Sequence, residues 1–420
     1  MQEHELRPWP LPRIIGKGNA RIRKLPQAMP PQPILFVHHA NDMYGADIGL
    51  LHSIKSLDWQ KYVPIVILPS DMPIGMMCPE LDRLGVEYHF AHLGILRRKY
   101  LTARAIIPLM IELLRGVAYV RYTARSRRVA LVYTNTFVTV SGAIGGKLAG
   151  VPVLWHIREI LAMPGPVRWL LYKMLSLCAD RVVCISRAVR DGVLKEAPNL
   201  ASKSVVVYNA ITAAANSGAG QHIGLREELG VPQSAPLVGM VGRVSHWKGQ
   251  EILAEAAALV LRGHPEAYFV AVGSYFADES HYLDKLKSLI TTLGLGDTFH
   301  LAAYRSNVTD VYRALDIFVL PSIKPEPFGR VTVEAMTQGR AVIATNHGGT
   351  VELIEEGVTG MLVPPADPKA LAAAIELLLS DPALRYKMGQ AASIYAREHF
   401  GLPGHSEQMR KIVDDLVTHV

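Results

Sequence analysis

The 420-residue sequence is poor in cysteine and has no long uncharged apolar run. Its three cysteines, Cys78, Cys178 and Cys184, are odd in number and contain no C-x-x-C pair, which argues against a disulfide framework and a structural zinc site. No segment reaches the ~18 uncharged apolar residues of a membrane-spanning helix, and the N-terminus has no apolar core of signal-peptide type. We therefore expect a cytoplasmic protein that does not cross a bilayer.

Several nucleotide-binding and metal-binding motifs are also missing. No G-x-G-x-x-G follows the first predicted strand, and no D-x-D that could hold a metal on a diphosphate occurs. "SGAIGGKLAG" (141–150) resembles a P-loop superficially, but Ser141 stands in place of the first glycine and Leu148 in place of the magnesium-binding Ser or Thr. Clustered Cys and His at zinc spacing do not occur either, so we expect no metal and no cofactor.

The net charge of +7 is unevenly distributed along the chain. Residues 1–215 hold 27 Lys and Arg against 14 Asp and Glu, whereas the remainder holds 17 against 23. The densest basic run spans residues 96–128, with Glu112 as its one acid. Such a surface attracts anionic lipid headgroups, and the run lacks the interleaved aromatics that nucleic-acid stacking would need. An anionic membrane surface is the expected partner, with a solvated helix face as the alternative interpretation, contact to the inner face of the plasma membrane left open and nucleic acid disfavoured.

Short β-branched runs alternate with helical patterns, which predicts an α/β fold with parallel sheets. We predict a basic, proline-rich arm at 1–32, one Rossmann-like domain at 33–212 and another at 213–397. The final segment, 398–420, is expected to return to the first domain. Ligands of such sheets bind at the carboxyl ends of strands, so the cleft between two domains is the expected site. The predicted strands are "PILFVHH" (33–39), "YVPIVILP" (62–69), "LVYTN" (131–135), "PVLWHI" (152–157), "RVVCIS" (181–186), "SVVVYNA" (204–210), "PLVGMVGR" (236–243), "AYFVAVG" (267–273), "TFHLAAY" (298–304), "IFVLPS" (317–322), "AVIATN" (341–346) and "GMLVPP" (360–365).

Two segments of the second half have the composition of phosphate-binding elements. In "GRVSHWKG" (242–249), Gly242 allows close approach of an anion, while Arg243 and Lys248 can both reach one diphosphate without a metal. In "TNHGGTVELI" (345–354), Gly348 and Gly349 follow a strand and open a predicted helix, whose N-terminus favours an anion. Surface cations and an ordinary turn are the alternative interpretations of the two segments taken singly.

A third segment, "PEPFGRVTVEAM" (325–336), supplies two carboxylates. Glu326 is predicted on the loop after a strand, and Glu334 about two turns into the following helix. Carboxylates accept paired hydrogen bonds from vicinal hydroxyls, which ribose and hexose rings share. Phe328 and Gly329 would bring the amides at the start of this helix toward the phosphates.

Together these segments resemble the GT-B-fold retaining glycosyltransferases of family four. The resemblance spans roughly residues 33–400 and is most specific in "GRVSHWKG", "AAYRSNVTDVYRALDIFVLPS", "EPFGRVTVEAMTQGRAVIATNHGG" and "GMLVPPADPKALAAAI". It implies two Rossmann-like domains facing a cleft, with the nucleotide-sugar donor on the second and the acceptor on the first.

The resemblance also implies a role for individual residues. Arg243 and Lys248 would bind the donor diphosphate, Glu334 the ribose and Glu326 the hydroxyls of the donor sugar. Further residues implied in the site are Tyr304 and Arg305 around the base, Gly45 and Ala46 of "NDMYGADIGLL" (41–51) beside the phosphates, and His156 of "WHIREI" near the transferred sugar. Tyr44 and Asp47 depart from the Gly and Glu that are common in this loop of the family.

The expected activity is metal-independent transfer of a hexose from UDP or GDP to a saccharide or lipid-linked acceptor, in polysaccharide or glycolipid biosynthesis. Because no carboxylate can be assigned as a nucleophile, front-face substitution is the expected mechanism, with Arg243 and Lys248 stabilising the leaving phosphate. Two alternatives remain: a nucleotide-sugar 2-epimerase of the same fold, and a non-catalytic nucleotide-sugar-binding protein.

Overall fold

The structure is a computed structural model that describes residues 30–72, 75–97, 103–161, 163–212, 224–275, 280–305 and 307–418. Residues 1–29 of the predicted basic arm lie outside the described residues. The same holds for Arg98 and Lys99 of the basic run and for most of the glycine-rich segment that follows residue 212.

The first domain is built on a parallel seven-stranded sheet in the order β3-β2-β1-β4-β5-β6-β7. Its central strands are buried on both faces, which is why they occur in the sequence as continuous apolar runs. The strands are β1 (Gln32–Val37), β2 (Tyr62–Pro69), β3 (Glu87–Ala91), β4 (Leu131–Asn135), β5 (Val153–Ile157), β6 (Arg181–Cys184) and β7 (Ser204–Val206).

Helices cover both faces of this sheet. The 21-residue helix α3 is the longest of those described here, and it packs on α4, which in turn contacts α5. The helices are α1 (Gly45–Lys55), α2 (Met77–Leu84), α3 (Ile106–Ser126), α4 (Val140–Ala149), α5 (Gly165–Cys178) and α6 (Arg187–Glu196).

The second domain repeats this architecture with a parallel six-stranded sheet in the order β10-β9-β8-β11-β12-β13. Its strands are β8 (Leu237–Val241), β9 (Tyr268–Val272), β10 (Phe299–Ala302), β11 (Ile317–Leu320), β12 (Ala341–Thr345) and β13 (Met361–Val363). Its helices are α7 (Leu225–Glu228), α8 (Gln250–Val260), α9 (Ser280–Thr292), α10 (Val308–Ala314), α11 (Arg330–Thr337) and α12 (Pro368–Ser380). The predicted fold, two Rossmann-like α/β domains, is thereby confirmed.

Two final helices lead the chain from the second domain back to the first. α13 (Pro382–Phe400) packs on α11, whereas α14 (Leu402–Thr418) packs on α1. The hydroxyls of Ser56 and Ser406 lie 2.9 Å apart, and Tyr62 donates a 2.7 Å hydrogen bond to Asp414. The last helix therefore contributes to the core of the first domain.

The two domains also meet directly beside β7. The carboxylate of Glu352 accepts hydrogen bonds from the amides of Arg187 and Ala188, at 2.7 and 2.8 Å, and so caps the start of α6. Ser186 donates a 2.6 Å hydrogen bond to the carbonyl of Pro327. These bonds fix how the loops of the second domain meet the first.

Every predicted strand overlaps an observed one, but β3 was missed. Its sequence, EYHFA, has only Ala91 fully buried because β3 lies at the edge of the sheet, so no apolar run marks it. The predicted position of Glu334 was also wrong by about a turn, because α11 begins at Arg330 and Glu334 is its fifth residue. None of the helices in the described ranges is both long and apolar enough to span a membrane.

Histidines of the first domain whose pKa is lowered on folding, with His39, His52 and His405 among them, predict a loss of stability at mildly acidic pH. Burial lowers the pKa of His39 and of His52 to about 3 and that of His405 to about 4, so all three are neutral when folded. The unfolded chain takes up these protons below about pH 6.5, and each such group costs about 1.4 kcal/mol per pH unit. We expect the free energy of unfolding to fall by several kcal/mol between pH 7 and pH 5, measured by urea titration.

The variant His52→Gln should make this pH slope shallower, whatever it does to stability at pH 7. The same substitution at an exposed position, His399→Gln on α13, shows what a change of His to Gln does outside these histidines. A free energy of unfolding that is constant between pH 7 and pH 5 would show that these imidazoles do not titrate on unfolding.

Candidate active site

The cationic loop of the second domain follows β8, at the carboxyl edge of the sheet. Gly242 ends the strand region, and a Cβ placed on it would lie 3.9 Å from Cδ of Lys248, so the lysine stem runs past this glycine. Gly249 has a φ of +81°, and a Cβ there would lie 1.9 Å from the carbonyl oxygen of Pro321. Only glycine fits this approach, which brings Lys248 beside the loop after β11.

Lys248 and Glu326 form an ion pair at the centre of the candidate site. Nζ of Lys248 lies 2.7 Å from Oε1 of Glu326, and the side chains are only 17% and 6% exposed. Ser322 donates a second hydrogen bond, of 2.5 Å, to the same oxygen. In this partly desolvated position the carboxylate orients the ammonium, which can still offer its other N–H groups to an anion.

Arg243 lies on the same loop as Lys248, five residues before it. Its carbonyl accepts a 3.0 Å hydrogen bond from Gln250 in α8, and the loop is tied to β9 by the 2.8 Å bond from Val244 N–H to Ser274 O. The start of the loop that carries both cations is thus fixed by one side-chain bond and one backbone bond.

The two adjacent glycines after β12 differ from their predicted role. Gly348, with a φ of +64°, pairs with Glu326, and the amide of Gly349 donates a 2.7 Å hydrogen bond to the carbonyl of Glu326. The element that follows is a four-residue 3₁₀ turn, Gly349–Glu352, rather than an α-helix. The glycines therefore hold the Glu326 loop in place, and the amide of Gly349 is already used.

The α11 helix starts beside this loop. Gly329 precedes it with a φ of +90°, where a Cβ would meet the side chain of Thr350 at 2.9 Å. Phe328 is 2% exposed and packs against Tyr208 and Phe400. Phe328 thus anchors the loop to the first domain through its contact with Tyr208.

Glu334 is held by two donors at the opening between the domains. Tyr312 donates a 2.8 Å hydrogen bond to Oε2, and Arg330 donates a 2.7 Å hydrogen bond to Oε1. Burial, with the charge of Glu334, raises the pKa of Tyr312 well above its usual value. Arg330 also donates to the carbonyl of Ala210, at 3.2 Å. Glu334 and Arg330 line a cavity of about 330 Å³ whose far wall includes Met43, Ile48 and His52 of the first domain.

The residues implied around the base and phosphates lie on exposed or half-buried segments of the two domains. Tyr304 is 54% exposed, and burial, followed by the charges of Tyr44 and Glu334, raises its pKa. Arg305 pairs with Glu228. Gly45 begins α1, and a Cβ there would meet nothing within 4 Å, so open space lies above it.

His156 is not brought to the surface of the cleft. It is fully buried in β5, where the hydroxyl of Tyr133 contacts Nδ1 and a guanidinium nitrogen of Arg158 lies 3.3 Å away. Burial, followed by the charge of Arg158, lowers the pKa of His156 well below its usual value. A direct contact between His156 and a sugar would need a rearrangement of this core.

Two features of the first domain were missed by sequence reasoning. Arg158 is buried and is held by Asn135 and Asn209, at 2.6 and 2.8 Å, beneath Gly49 of α1, where a Cβ would lie 2.2 Å from its guanidinium. The sequence signal for Arg158 was a cation directly after a buried strand.

The second missed feature is the pair formed by Asp47 and His38. The imidazole lies 2.7 Å from Oδ1 of Asp47, and the other carboxylate oxygen accepts a 2.9 Å hydrogen bond from the amide of Tyr44. Burial alone would raise the pKa of Asp47, but the hydrogen bond and charge of His38 outweigh it and lower the pKa. Asp47 thus fixes the Tyr44–Gly45 loop at the start of α1.

The described ranges contain no group of three or more His, Cys, Asp or Glu side chains that could hold a metal. Arg243 and Lys248 both lie on the loop that follows β8 at this edge of the second sheet. Acidic and basic groups thus converge here at the carboxyl ends of β8, β11 and β12, where ligands of such sheets bind.

Comparison with known proteins finds its similarities mainly in the second domain. Residues 224–395 match the family model of glycosyl transferases group 1. Among curated proteins, the chain is 34% identical over 195 residues to the D-inositol 3-phosphate glycosyltransferase of Corynebacterium jeikeium, covering 46% of each chain. It is also 34% identical over 181 residues to the lipopolysaccharide core mannosyltransferase LpcC of Rhizobium leguminosarum, covering 43% of this chain and 51% of that one. The match therefore spans about half the length of these relatives.

Similarity in structure extends over both domains. HepE of Anabaena, solved in complex with UDP and glucose, is 26% identical, with a TM-score of 0.77 over 91% of this chain and 100% of that one. This match covers both sheets and the opening between them. The chain therefore has the GT-B fold, and residues 224–395 of its second domain match the glycosyl transferases group 1 model.

Proposed function

We propose that this protein is a retaining, metal-independent hexosyltransferase of family four. It moves a hexose from a UDP- or GDP-sugar to a saccharide or lipid-linked acceptor in polysaccharide or glycolipid biosynthesis. The observation that carries the proposal is the Lys248–Glu326 ion pair, 2.7 Å long and nearly buried, which joins the loop of Arg243 to the loop that pairs with Gly348. The UDP and glucose bound to HepE support a nucleotide-sugar donor.

The chemistry assigned to these residues is electrostatic. Arg243 and Lys248 bind the diphosphate and stabilise the charge that grows on it as the sugar bond breaks. Glu326 holds Lys248 and accepts hydrogen bonds from hydroxyls of the donor sugar. Glu334 accepts hydrogen bonds from the hydroxyls of the ribose. The leaving phosphate takes the proton of the acceptor hydroxyl on the same face of the sugar, so the anomeric configuration is retained.

The direct test is a panel of UDP- and GDP-hexoses scored by thermal shift and by slow hydrolysis of the donor. A true donor raises Tm, because it binds only the folded chain, and releases free sugar of retained configuration, seen by NMR. Release of an epimerised sugar without acceptor would instead indicate a 2-epimerase. Binding without turnover, in the presence of candidate acceptors, would indicate a nucleotide-sugar-binding protein.

Metal independence gives a separate prediction. Because two side-chain cations are proposed to neutralise the diphosphate, turnover in EDTA should stay within about twofold of that without chelator. The measurement compares initial rates in EDTA and after addition of excess Mg²⁺ or Mn²⁺. Activity that disappears in EDTA and returns with metal would contradict a metal-free diphosphate site.

A further inference from the structure

The first half of α3 carries a row of large apolar side chains that face solvent. Ile107 is 72% exposed and Leu114 63%, and the row has the one-face spacing of a helix. The buried residues of the same helix lie in its second half, with Val117, Val120 and Ala124 among them. The α3 row consists of Ile107, Met110, Ile111 and Leu114.

The same exposed face becomes basic toward the end of the helix. Arg121 and Arg125 continue the stripe beyond Leu114, and Arg104 is exposed just before the row. Glu112 is the one acid between residues 103 and 128, and it is engaged by Arg115 at 3.0 Å and by His92 at 2.6 Å. An aliphatic row bordered by arginines matches the chemistry of an anionic bilayer. The aliphatic side chains would contact acyl chains, and the arginines would contact the lipid phosphates.

The end of the α3 row is packed closely on the domain. Gly94 touches the backbone of α3 so closely that a Cβ would lie 2.4 Å from the amide nitrogen of Leu113. The helix is therefore held against the folded domain at the position next to Leu114.

The position of the row relates it to the candidate site. In a parallel α/β domain each helix begins at the carboxyl edge of the sheet, which is the edge that faces the ligand cleft. The apolar half of α3 is its first half, so it lies toward that edge. α5, whose neighbour α4 also packs on α3, exposes Trp169 and Leu170 in its first turns, at 65% and 50%.

We propose that the α3 row inserts into the surface of an anionic membrane, with Arg104 and Arg121 at the phosphate level, and so holds the first domain's cleft edge against the bilayer. The role of this membrane contact rests on the proposed function, because an acceptor sugar on a lipid anchor could then reach the first domain without leaving the membrane. The inserting residues and their place at the cleft edge are new to this proposal; charge alone predicts only a loose attraction.

The test is co-flotation of the full chain with vesicles of phosphatidylcholine, alone or mixed with phosphatidylglycerol. The native chain should float with the mixed vesicles and remain partly bound at high salt, because apolar insertion is not screened. The double variant Ile107→Ser/Leu114→Ser should weaken this binding more than about tenfold. Arg104→Gln/Arg121→Gln should weaken it mainly at low salt.

The matched control is Leu377→Ser/Ile394→Ser, which removes two apolar side chains of the second domain that are 47% and 58% exposed. It should bind vesicles like the native chain. All variants should keep the native Tm and UDP-sugar affinity, so a failure of membrane binding is distinguishable from a failure of the proposed activity. Equal flotation of the α3 variant and its control would overturn the proposal. So would α3-dependent self-association, detected by sedimentation, without vesicle binding.

Discussion

Lys248→Ala is expected to lower kcat for sugar transfer by about 10³-fold, the cost of removing one preorganised charge donor from a transition state. The lysine has a defined position because Glu326 and the tight turn at Gly249 fix it at the edge of the second sheet. Its charge is needed most when the diphosphate departs, so kcat should fall much more than the affinity for donor. Initial rates with saturating donor, together with the Kd for the nucleotide, separate the two effects.

The matched control is Lys285→Ala. Lys285 also pairs with a glutamate, Glu251, but its side chain is 67% exposed and lies on α9. This variant should retain native kcat. Lys248→Ala should remain folded, with a loss of about 1–3 kcal/mol in unfolding free energy because Glu326 keeps only part of its hydrogen bonding. Near-native kcat in Lys248→Ala would refute the assignment of the leaving-group cation.

The strands of both domains could be predicted because parallel strands that are buried on both faces leave continuous apolar runs in the sequence. β3 could not, since it lies at an edge and only Ala91 of its five residues is fully buried. The same logic explains why the loops at Lys248 and Glu326 were found. Each of these two loops follows directly after a strand that its apolar run predicts.

What sequence could not give was how the site residues hold one another. The pairs Lys248–Glu326 and Arg330–Glu334 depend on distances between side chains. Arg330 also donates a hydrogen bond to the carbonyl of Ala210 in the first domain. Gly349 was expected to leave an amide for an anion, yet that amide bonds Glu326 because its turn is too short to form an α-helix.

His156 and Arg158 show a second limit. They are two residues apart and so point to the same side of β5, but His156 is within the strand and Arg158 is just past its end. The side chain of His156, inside the strand, is covered by its neighbours, Tyr133 among them. The longer side chain of Arg158, beyond the end of the strand, reaches toward α1. The sequence shows which residue types stand at these two positions, but not how deep each side chain lies in the domain.

The second large effect is expected from Glu326→Gln, which should lower kcat/KM by about 10²-fold. The amide keeps the shape of the side chain but removes the charge that orients Lys248, and it weakens hydrogen bonds from sugar hydroxyls. If Lys248 and Glu326 act as one unit, their effects cannot add, because each loss already disables the pair. The double variant Lys248→Ala/Glu326→Gln should therefore be no more than a few-fold slower than Lys248→Ala alone.

A second cycle on an exposed ion pair calibrates this result. Lys285 and Glu251 lie 3.1 Å apart at the surface, so Lys285→Ala, Glu251→Gln and their double variant should all keep native kcat/KM. The cycle on Lys248 and Glu326 should show a coupling of at least about 2 kcal/mol in activation free energy. This value corresponds to a loss from Glu326→Gln that is about 10²-fold in the native chain and only a few-fold in Lys248→Ala. Strictly additive losses would mean that the two side chains serve separate steps, with Glu326 acting on the sugar independently of the cation it holds in the folded chain.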